Sequence, residues 1–251
     1  MTAIEPRHFT ATPGLLADRV MLVTGATGGF GRALSLAAAR AGASVILLGR
    51  AAAKLDALYD EIEALGGPQP AIAMLDLATA GAAEYDALAG RIGAEFGRLD
   101  GLVHAAGLLG DRTPLEQYDV PTWCRVLHVN LTAPFVLTQV LLPALRRSAD
   151  ASVIFVSSGV VKQQRPFWGA YAAAKTGLES VRSMLAQELE GTSSIRVNSV
   201  NPGPMRTRMR ASAYPAENPH DVPAPDDATG AFLYLLSTQA RGVSGEFFEA
   251  Q

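Results

Sequence analysis

Short apolar runs alternate along the chain with longer runs whose apolar residues recur at helical spacing. The short runs predict strands at 20–24, 44–48, 71–75, 101–105, 153–156, 195–200 and 246–249. The longer runs predict helices near 29–41, 52–65, 81–96, 119–146, 170–190 and 227–237. The first helix is well marked, because Phe30, Leu34 and Ala41 lie on one face and Gly42 ends the pattern.

The predicted strands are apolar along their whole length instead of alternating with polar residues. Strands of this kind belong in a sheet that is covered on both faces, and regular alternation of strands and helices gives a doubly wound parallel sheet. We therefore predict an α/β, Rossmann-type fold with a seven-stranded parallel sheet in one domain over residues 18–251. Residues 1–17 form a predicted N-terminal arm, whose Leu15 and Leu16 are expected to pack beneath the first strand.

One long stretch, residues 204–226, has neither a helix nor a strand pattern and is rich in Pro, Arg and Met. A long irregular stretch inside a compact domain is usually a lid or a binding loop. The alternative is a surface excursion without a role in binding.

Composition and charge narrow the class of protein. The 251 residues carry a formal net charge of −3, which gives no reason to expect a nucleic acid or an anionic membrane as partner. Cys124 is the single cysteine, so no internal disulfide can form and a cytoplasmic location is expected. The N-terminus lacks the apolar core of a signal peptide, and the most apolar stretch, 133–145, is too short to cross a bilayer. The histidines lack the spacing of metal ligands, so no metal site is expected.

A glycine-rich string follows the first predicted strand and opens the first predicted helix, with the sequence Thr24-Gly25-Ala26-Thr27-Gly28-Gly29-Phe30-Gly31. Gly25 permits a tight turn, while Gly29 and Gly31 let the backbone approach a pyrophosphate. Unpaired N–H groups at the helix N-terminus then face the phosphates. Such a string also occurs in ordinary turns, but here it stands where a dinucleotide-binding fold requires it.

Tyr171 and Lys175 stand four residues apart in a predicted helix, and Ser158 follows the strand before it. Residues at this spacing share one helical face, and a cation beside a phenol lowers the phenol's pKa. Lowering that pKa from about 10 to about 7 takes roughly 4 kcal/mol. A unit charge about 4 Å away supplies about this much at an effective dielectric constant near 20. The three residues therefore predict proton transfer by Tyr171 near neutral pH.

The TGxxxGxG spacing of the glycine string, together with Ser158, Tyr171 and Lys175, resembles the short-chain dehydrogenase/reductase family in its single-domain form. The resemblance extends from Asp18 to the C-terminus, and the strings LLGR, AAGLLGD and PGPMRTRMRASAYP resemble a bacterial branch of the family. It implies hydride transfer between a nicotinamide and a carbonyl or secondary alcohol, with Tyr171 as general acid and base. Lys175 would lower the pKa of Tyr171 and hold the nicotinamide ribose, and Ser158 would bind the substrate oxygen.

The resemblance assigns further residues. Asn130 would complete the catalytic set by bending the long helix and holding a water near Lys175. Asp76 would contact the adenine edge, although it is equally suited to cap the next helix. Alanine stands at position 105, where the family has an asparagine that bridges neighbouring backbone, which puts local order near the adenosine in doubt. The expected cofactor-binding residues are Gly25, Thr27, Gly29, Phe30, Gly31, Arg50, Asp76, Leu77, Ala106, Gly107, Tyr171, Lys175, Pro202, Gly203 and Thr207.

Arg50 indicates which nicotinamide cofactor is preferred. An NAD-specific site needs a carboxylate after the second strand for the ribose 2′-hydroxyl, whereas this chain has Gly49 and Arg50 there. An arginine pairs with a 2′-phosphate that a carboxylate would repel. We expect NADP(H) to be preferred over NAD(H) by about tenfold to a hundredfold. The alternative is that Arg50 is a solvated surface residue.

The substrate is expected to be a small carbonyl compound or alcohol in a mostly apolar pocket. The expected wall residues are Leu108, Leu109, Val160, Gln164, Phe167, Trp168 and the stretch after Pro204. One alternative within the family is a 3-oxoacyl-thioester reductase, because Arg206, Arg208 and Arg210 would suit an anionic carrier. An alternative of another class is a non-catalytic NADP-binding sensor or scaffold, against which the complete catalytic set argues.

The resemblance also implies a homodimer or homotetramer. The helices near 119–146 and 170–190 would pair between subunits. Their candidate contacts are Val136, Leu137, Val140 and Leu141, although most of these must face their own core.

Overall fold

All seven predicted strands are present in one parallel sheet. The computed structural model of the protein describes residues 9–251, so the predicted arm is described from Phe9 onward and the calls on residues 1–8 lie outside it. The strands are Val20–Thr24 (β1), Ser44–Gly49 (β2), Ala71–Met74 (β3), Gly101–His104 (β4), Ser152–Val156 (β5), Arg196–Asn201 (β6) and Phe247–Glu249 (β7). They are ordered β3-β2-β1-β4-β5-β6-β7, and every neighbouring pair is parallel. The predicted fold class is therefore confirmed.

The helices lie close to their predicted bounds, with two differences. They are Gly29–Arg40 (α1), Ala52–Glu63 (α2), Ala82–Phe96 (α3), Val120–Leu127 (α4), Ala133–Arg146 (α5), Gly169–Leu189 (α6), Arg208–Ala213 (α7) and Thr229–Leu236 (α8). The long helix predicted at 119–146 is interrupted by a π-helical segment, His128–Thr132, which separates α4 from α5. The stretch expected to be irregular at 204–226 contains the short helix α7.

Apolar side chains are buried on both faces of the sheet, as a doubly wound fold requires. On one face, Leu34 of α1 packs with Phe232 of α8, while on the other Leu88 of α3 packs with Leu137 of α5. Leu16 is fully buried in the first of these clusters and Leu15 packs against it, so this part of the predicted arm belongs to the core.

The strand order places the candidate site at the middle of the sheet. The chain leaves β1 for one side of the sheet and returns through β4 to the other, so the strand order reverses between these two neighbours. In open α/β sheets, ligands bind at such a reversal, beyond the carboxyl ends of the strands. The segments that follow β1, β4, β5 and β6 carry the predicted site residues and therefore meet at this edge.

The continuous helical run Val120–Arg146 is longer than the apolar stretch 133–145 considered from the sequence. By length and composition alone, it is the one helix within residues 9–251 that is long and apolar enough to cross a membrane. Part of this run is buried in the protein, and a core helix meets the same criterion.

Candidate active site

The glycine turn after β1 is held tightly against the segment after β4. Gly25 has a φ of +63°, a conformation that glycine adopts without strain. A Cβ at this position would stand 2.8 Å from Ala106 Cα, closer than real Cβ contacts come. Helix α1 then begins without any side-chain cap, so the N–H groups of its first turn are left for an acceptor such as a phosphate. This cradle fits a dinucleotide pyrophosphate.

Gly29 and Thr207 bring two predicted cofactor motifs together. A Cβ on Gly29 would stand 2.7 Å from Thr207 Cγ2, so the turn after β6 lies directly against the glycine turn. The turn after β6 is shaped by Gly203, with a φ of +77°, which follows the buried Pro202. The Thr207 hydroxyl accepts a hydrogen bond of 3.2 Å from the N–H of Arg210 and so caps α7. Its contact with a nicotinamide amide stays a prediction.

Two predicted cofactor residues direct their side chains into the core instead. The Phe30 ring packs against Phe232, with ring centroids 4.7 Å apart. Leu77 is buried in the cluster on the other face of the sheet. Their side chains are therefore unable to line the cofactor site, and only their backbone groups can contribute. The spacing TGxxxGxG gives no information on the orientation of the residue between its glycines.

Arg50 forms an ion pair that the sequence did not predict. Its Nη1 lies 3.3 Å from Oδ2 of Asp76, at the ends of the neighbouring strands β2 and β3. Asp76 also accepts a hydrogen bond of 3.0 Å from the N–H of Ala78, within the turn after β3. The next helix, α3, has Gly81 as its N-cap, so the alternative that Asp76 caps this helix is wrong. This backbone bond and the Arg50 guanidinium lower the pKa of Asp76, although partial burial opposes them. Arg50 is 58% exposed and is accessible to a phosphate.

The hydroxyl of Thr24 orders the segment where the family's asparagine is missing. Its Oγ1 accepts a hydrogen bond of 3.0 Å from the N–H of Ala106. This bond ties the end of β1 to the residue after Ala105, so the alanine does not leave the segment untethered. Thr24 is the first residue of the glycine string. Its contact with Ala106, which follows the neighbouring strand β4, could not be predicted from the spacing of residues in the sequence.

Asn130 is buried within the π-helical segment and uses its side chain to hold the loop after β4. Its Oδ1 accepts from the N–H of Leu108 at 2.8 Å, and its Nδ2 donates to the Leu108 carbonyl at 2.7 Å. Gly107 must be small for this pairing, because a Cβ there would stand 3.2 Å from Asn130 Oδ1. The predicted bend is present as the π-helical segment. The side-chain amide of Asn130 forms its hydrogen bonds with the backbone of Leu108. The water predicted near Lys175 remains a prediction.

Tyr171 and Ser158 meet as predicted, but the pKa of the phenol shifts in the opposite direction. Tyr171 is buried in the first turn of α6, and burial raises its pKa above 10. The nearby Ser158 side chain opposes that rise without reversing it. The expectation that Lys175 brings the pKa of Tyr171 toward neutrality is therefore wrong for the groups of the protein itself. The phenol is neutral at pH 7.

Lys175 is directed toward the backbone of β5. Its Nζ donates a hydrogen bond of 2.6 Å to the Val156 carbonyl and lies 5.8 Å from the centroid of the Tyr171 ring. Burial lowers the pKa of Lys175 to about 8, while the carboxylate of Glu179, one turn further along α6, raises it. The Val156 carbonyl therefore binds the ammonium directly, and the phenol has no such bond to Lys175 among the hydrogen bonds of the described residues.

A buried histidine, His104, lies close enough to Lys175 to be affected by its charge. His104 ends β4, stacks on Phe155 with ring centroids 4.9 Å apart, and has its Nε2 2.8 Å from Oγ1 of Thr138. Because Thr138 donates its hydroxyl proton to the Pro134 carbonyl, it accepts from His104, whose proton is therefore on Nε2. Burial, and then the charge of Lys175, lower the pKa of His104 to about 3.

The predicted substrate wall is formed in part. Val160 and Trp168 are buried in one cluster with Tyr171, and Leu108 and Leu109 pack against it. Two other predicted wall residues, Gln164 and Phe167, are exposed and do not belong to this cluster. Phe167 has a positive φ of 71°, which turns the chain outward just before α6. The wall is thus apolar and aromatic, and smaller than predicted.

Two wall residues, Trp123 and Arg112, escaped the sequence analysis, whereas Met209 and Tyr214 belong to the stretch after Pro204 that was predicted to form part of the wall. Trp123, Met209 and Tyr214 pack against the same cluster, from α4 and from the stretch that contains α7. The Arg112 guanidinium lies over the rings of Trp168 and Tyr214. These residues are far apart in sequence, and no periodicity marks them. Among residues 9–251, no group of three or more His, Cys, Asp or Glu side chains is suited to hold a metal ion.

Comparison with known families agrees with this geometry. The sequence model described as short chain dehydrogenase matches residues 19–218, which include β1 and the whole of the candidate site up to Thr207. The chain belongs to the short-chain dehydrogenase family. It is accordingly an oxidoreductase, with the Rossmann-type sheet of that family.

Individual members of the short-chain dehydrogenase family are similar over almost the whole chain. The uncharacterized oxidoreductase YciK of Escherichia coli (strain K12) is 43% identical over 244 residues, covering 97% of this chain and 96% of the relative. A short chain dehydrogenase structure from Pseudomonas syringae has a TM-score of 0.95 at 49% identity, covering 97% of this chain and 98% of that one. A short chain dehydrogenase from Shigella flexneri, complexed with NADP, has a TM-score of 0.93 at 43% identity, covering 96% and 100%.

Proposed function

We propose that this short-chain dehydrogenase is an NADP(H)-dependent carbonyl reductase or alcohol dehydrogenase, with Tyr171 as its general acid and base. The observation that carries the proposal is the buried, neutral Tyr171 hydroxyl against the Ser158 side chain, at the apolar wall of the site. A neutral phenol is the form that donates a proton to a carbonyl oxygen. At neutral pH the phenol thus carries the proton that carbonyl reduction requires, whereas alcohol oxidation would first require its removal.

The remaining catalytic residues have supporting roles in this proposal. Ser158 donates a hydrogen bond to the substrate oxygen and orients it toward the phenol. Lys175, fixed by the Val156 carbonyl, keeps a positive charge beside the site below pH about 8. Asn130 holds the backbone of Leu108 and so positions one side of the substrate pocket.

The cofactor would be held by the cradle around Gly25 and Gly29 and by the turn around Gly203. When bound, NADPH supplies the hydride that the protein's own side chains are unable to provide. Arg50 would pair with the 2′-phosphate, and the NADP complex of the similar Shigella flexneri protein supports the same preference. Thr27, Ala106 and Thr207 complete the proposed cofactor site.

A largely apolar ketone is the proposed substrate class. The wall cluster around Trp168 and Tyr171 is aromatic and aliphatic, and apolar surface favours a ligand of the same character. The polar groups that face it, Ser158 and Tyr171, would bind a single oxygen. One carbonyl on an apolar frame matches this arrangement.

NADPH oxidation with a panel of ketones, aldehydes and quinones tests the proposal. Turnover of at least one apolar ketone is expected. Tyr171→Phe should lose this turnover completely while NADPH binding, measured by fluorescence titration, stays largely intact. Activity that survives in Tyr171→Phe would refute the assigned mechanism. If NADPH binds to the wild type without any turnover, the non-catalytic sensor becomes the better description. The same panel should include a thioester beside its matched free ketone, which separates a 3-oxoacyl-thioester reductase from a general ketone reductase.

A cytoplasmic homodimer or homotetramer is proposed as the assembly. Leu137 and Leu141 are fully buried in the core of their own subunit, so these two predicted contacts are wrong. Phe135 of α5 and Met184 of α6 are instead exposed apolar residues on the helices expected to pair. Light scattering coupled to size-exclusion chromatography measures the assembly, and Phe135→Glu is expected to weaken it.

A further inference from the structure

Arg112 joins two separate parts of the substrate side. It lies in the loop after β4, and its Cζ stands 4.6 Å from the Trp168 ring centroid and 5.2 Å from that of Tyr214. Its Nη1 donates a hydrogen bond to the carbonyl of Ala213, the last residue of α7. One guanidinium therefore contacts the wall beside α6 and the C-terminal end of α7.

Tyr214 is held by a second arginine. Arg210 Cζ lies 3.8 Å from the Tyr214 ring centroid. Arg210 is fixed in turn by Glu217, with Nε–Oε2 and Nη2–Oε1 distances of 2.6 and 2.5 Å. Two guanidinium groups thus contact one ring, and a planar guanidinium both stacks on aromatic rings and donates hydrogen bonds in fixed directions.

The chain of contacts ends at the proposed proton donor. The Trp168 ring lies 6.0 Å from that of Tyr214 and 5.9 Å from that of Tyr171, measured between ring centroids. From α7, Ala213 is buried in the same wall cluster and Met209 packs against it. Helix α7 therefore forms part of the wall cluster to which Tyr171 belongs.

We propose that Arg112 is a positioning residue for substrate selection, which latches α7 and Tyr214 against Trp168 and so sets the size of carbonyl compound that reaches Tyr171. The selection of substrates rests on the proposed function, whereas the latch itself does not. Without the guanidinium, the start of α7 is still capped by Thr207, but its end is held only by the apolar packing of Ala213. The pocket then becomes wider and its wall more mobile.

Hydrogen exchange of the backbone amides of residues 208–214 tests the latch independently of turnover. Arg112→Leu keeps apolar contact but loses the charge and the hydrogen bond, and Arg112→Lys keeps the charge but loses the planar fork. Exchange about tenfold faster than in the wild type is expected for Arg112→Leu, since a hydrogen bond and two cation–aromatic contacts are lost. The exchange rate in Arg112→Lys should be closer to the rate in Arg112→Leu than to the rate in the wild type. Arg91→Leu, at an exposed arginine of α3, is the matched control and should exchange at the wild-type rate.

Kinetics on a series of ketones of increasing size then test the selection. In Arg112→Leu, KM for the best small ketone should rise about tenfold, kcat should change less, and the preference over bulky ketones should shrink. The Kd for NADPH should change much less than KM, since Arg112 does not touch the residues of the cofactor cradle. Unchanged exchange in both Arg112 variants would overturn the latch, and faster exchange with an unaltered size preference would overturn its role in selection. If the wild type reduces no carbonyl compound, the proposed function and the substrate selection that rests on it are both contradicted. The hydrogen-exchange result would still show whether Arg112 holds α7 in place.

Discussion

Arg50 Nη1 lies 3.3 Å from Oδ2 of Asp76, so the residue expected to select the cofactor already has a partner. The Asp76 carboxylate has a lowered pKa and stays charged at neutral pH. A guanidinium has five N–H donors and is able to serve a carboxylate and a phosphate together. The ion pair therefore holds Arg50 at the end of β2 and leaves part of its hydrogen-bonding capacity for a 2′-phosphate.

Arg50→Asp should abolish or reverse the cofactor preference. The change removes the cation and places a carboxylate where a 2′-phosphate would be repelled, whereas the 2′-hydroxyl of NADH would be accepted. We expect kcat/KM with NADPH to fall by about tenfold to a hundredfold, with a smaller effect on NADH. Arg91→Asp carries the same change of charge on α3 and should leave both values unaltered. Equal use of the two cofactors by the wild type would contradict this assignment.

Gly29→Ala should weaken both stability and NADPH binding, because the new Cβ would stand 2.7 Å from Thr207 Cγ2. Overpacking of this kind costs about 1–3 kcal/mol. Thr207→Ser removes the offending methyl group but keeps the hydroxyl that caps α7. The double variant should therefore recover much of the loss, which thermal unfolding and NADPH titration would measure as a double-mutant cycle. Additive losses in the double variant would show that the two residues do not meet.

Reduction of carbonyl compounds should slow above pH about 8. Burial lowers the pKa of Lys175 to about 8, so its ammonium is present below that pH and is lost above it. The pKa of Tyr171 lies above 10, so the phenol stays protonated through the same range. A profile of kcat/KM against pH should show a descending limb near pH 8. Glu179→Gln should move that limb to lower pH, since the carboxylate of Glu179 raises the pKa of Lys175. A limb that does not move would exclude this lysine as its source.

Acid should destabilise the fold through His104. Its pKa is about 3 in the folded protein, against an ordinary value near 6.5, so the unfolded chain binds the additional proton between these pH values. Stability is consequently lost as pH falls below about 6.5, by roughly 2 kcal/mol at pH 5. Urea unfolding at pH 7 and pH 5 measures this loss of stability. His104→Asn should not show the loss between these two pH values, whatever its own stability at pH 7. His220→Asn, at an exposed position, should keep the wild-type dependence.

The architecture was predictable because it follows from local patterns. Strands buried on both faces are continuous apolar runs, and the helix pattern of α1 ends at Gly42, so these elements are encoded within a few neighbouring residues. Helix α7 was not predicted because its six residues, RMRASA, have no apolar periodicity. It depends on the Thr207 cap and on contacts with residues far away in sequence, such as Arg112.

The sequence predicted which motifs lie near one another in the candidate site, but not how their side chains are oriented. The spacing of Tyr171 and Lys175 places them on one helical face, yet it does not reveal that Val156 accepts the hydrogen bond of the lysine. Phe30 occupies a cofactor motif while its ring belongs to the core. Side-chain direction depends on which partners the tertiary structure supplies, and one-dimensional spacing does not contain that information.

Thr207 contacts both the glycine turn of the proposed cofactor site and helix α7 of the substrate side. Its methyl group abuts the glycine turn, and its hydroxyl holds the first turn of α7. A cofactor bound beside Gly29 would therefore lie close to the residue that caps α7. Thr207 thus connects the proposed cofactor site with one wall of the substrate side, so a substitution at this single residue is expected to affect both.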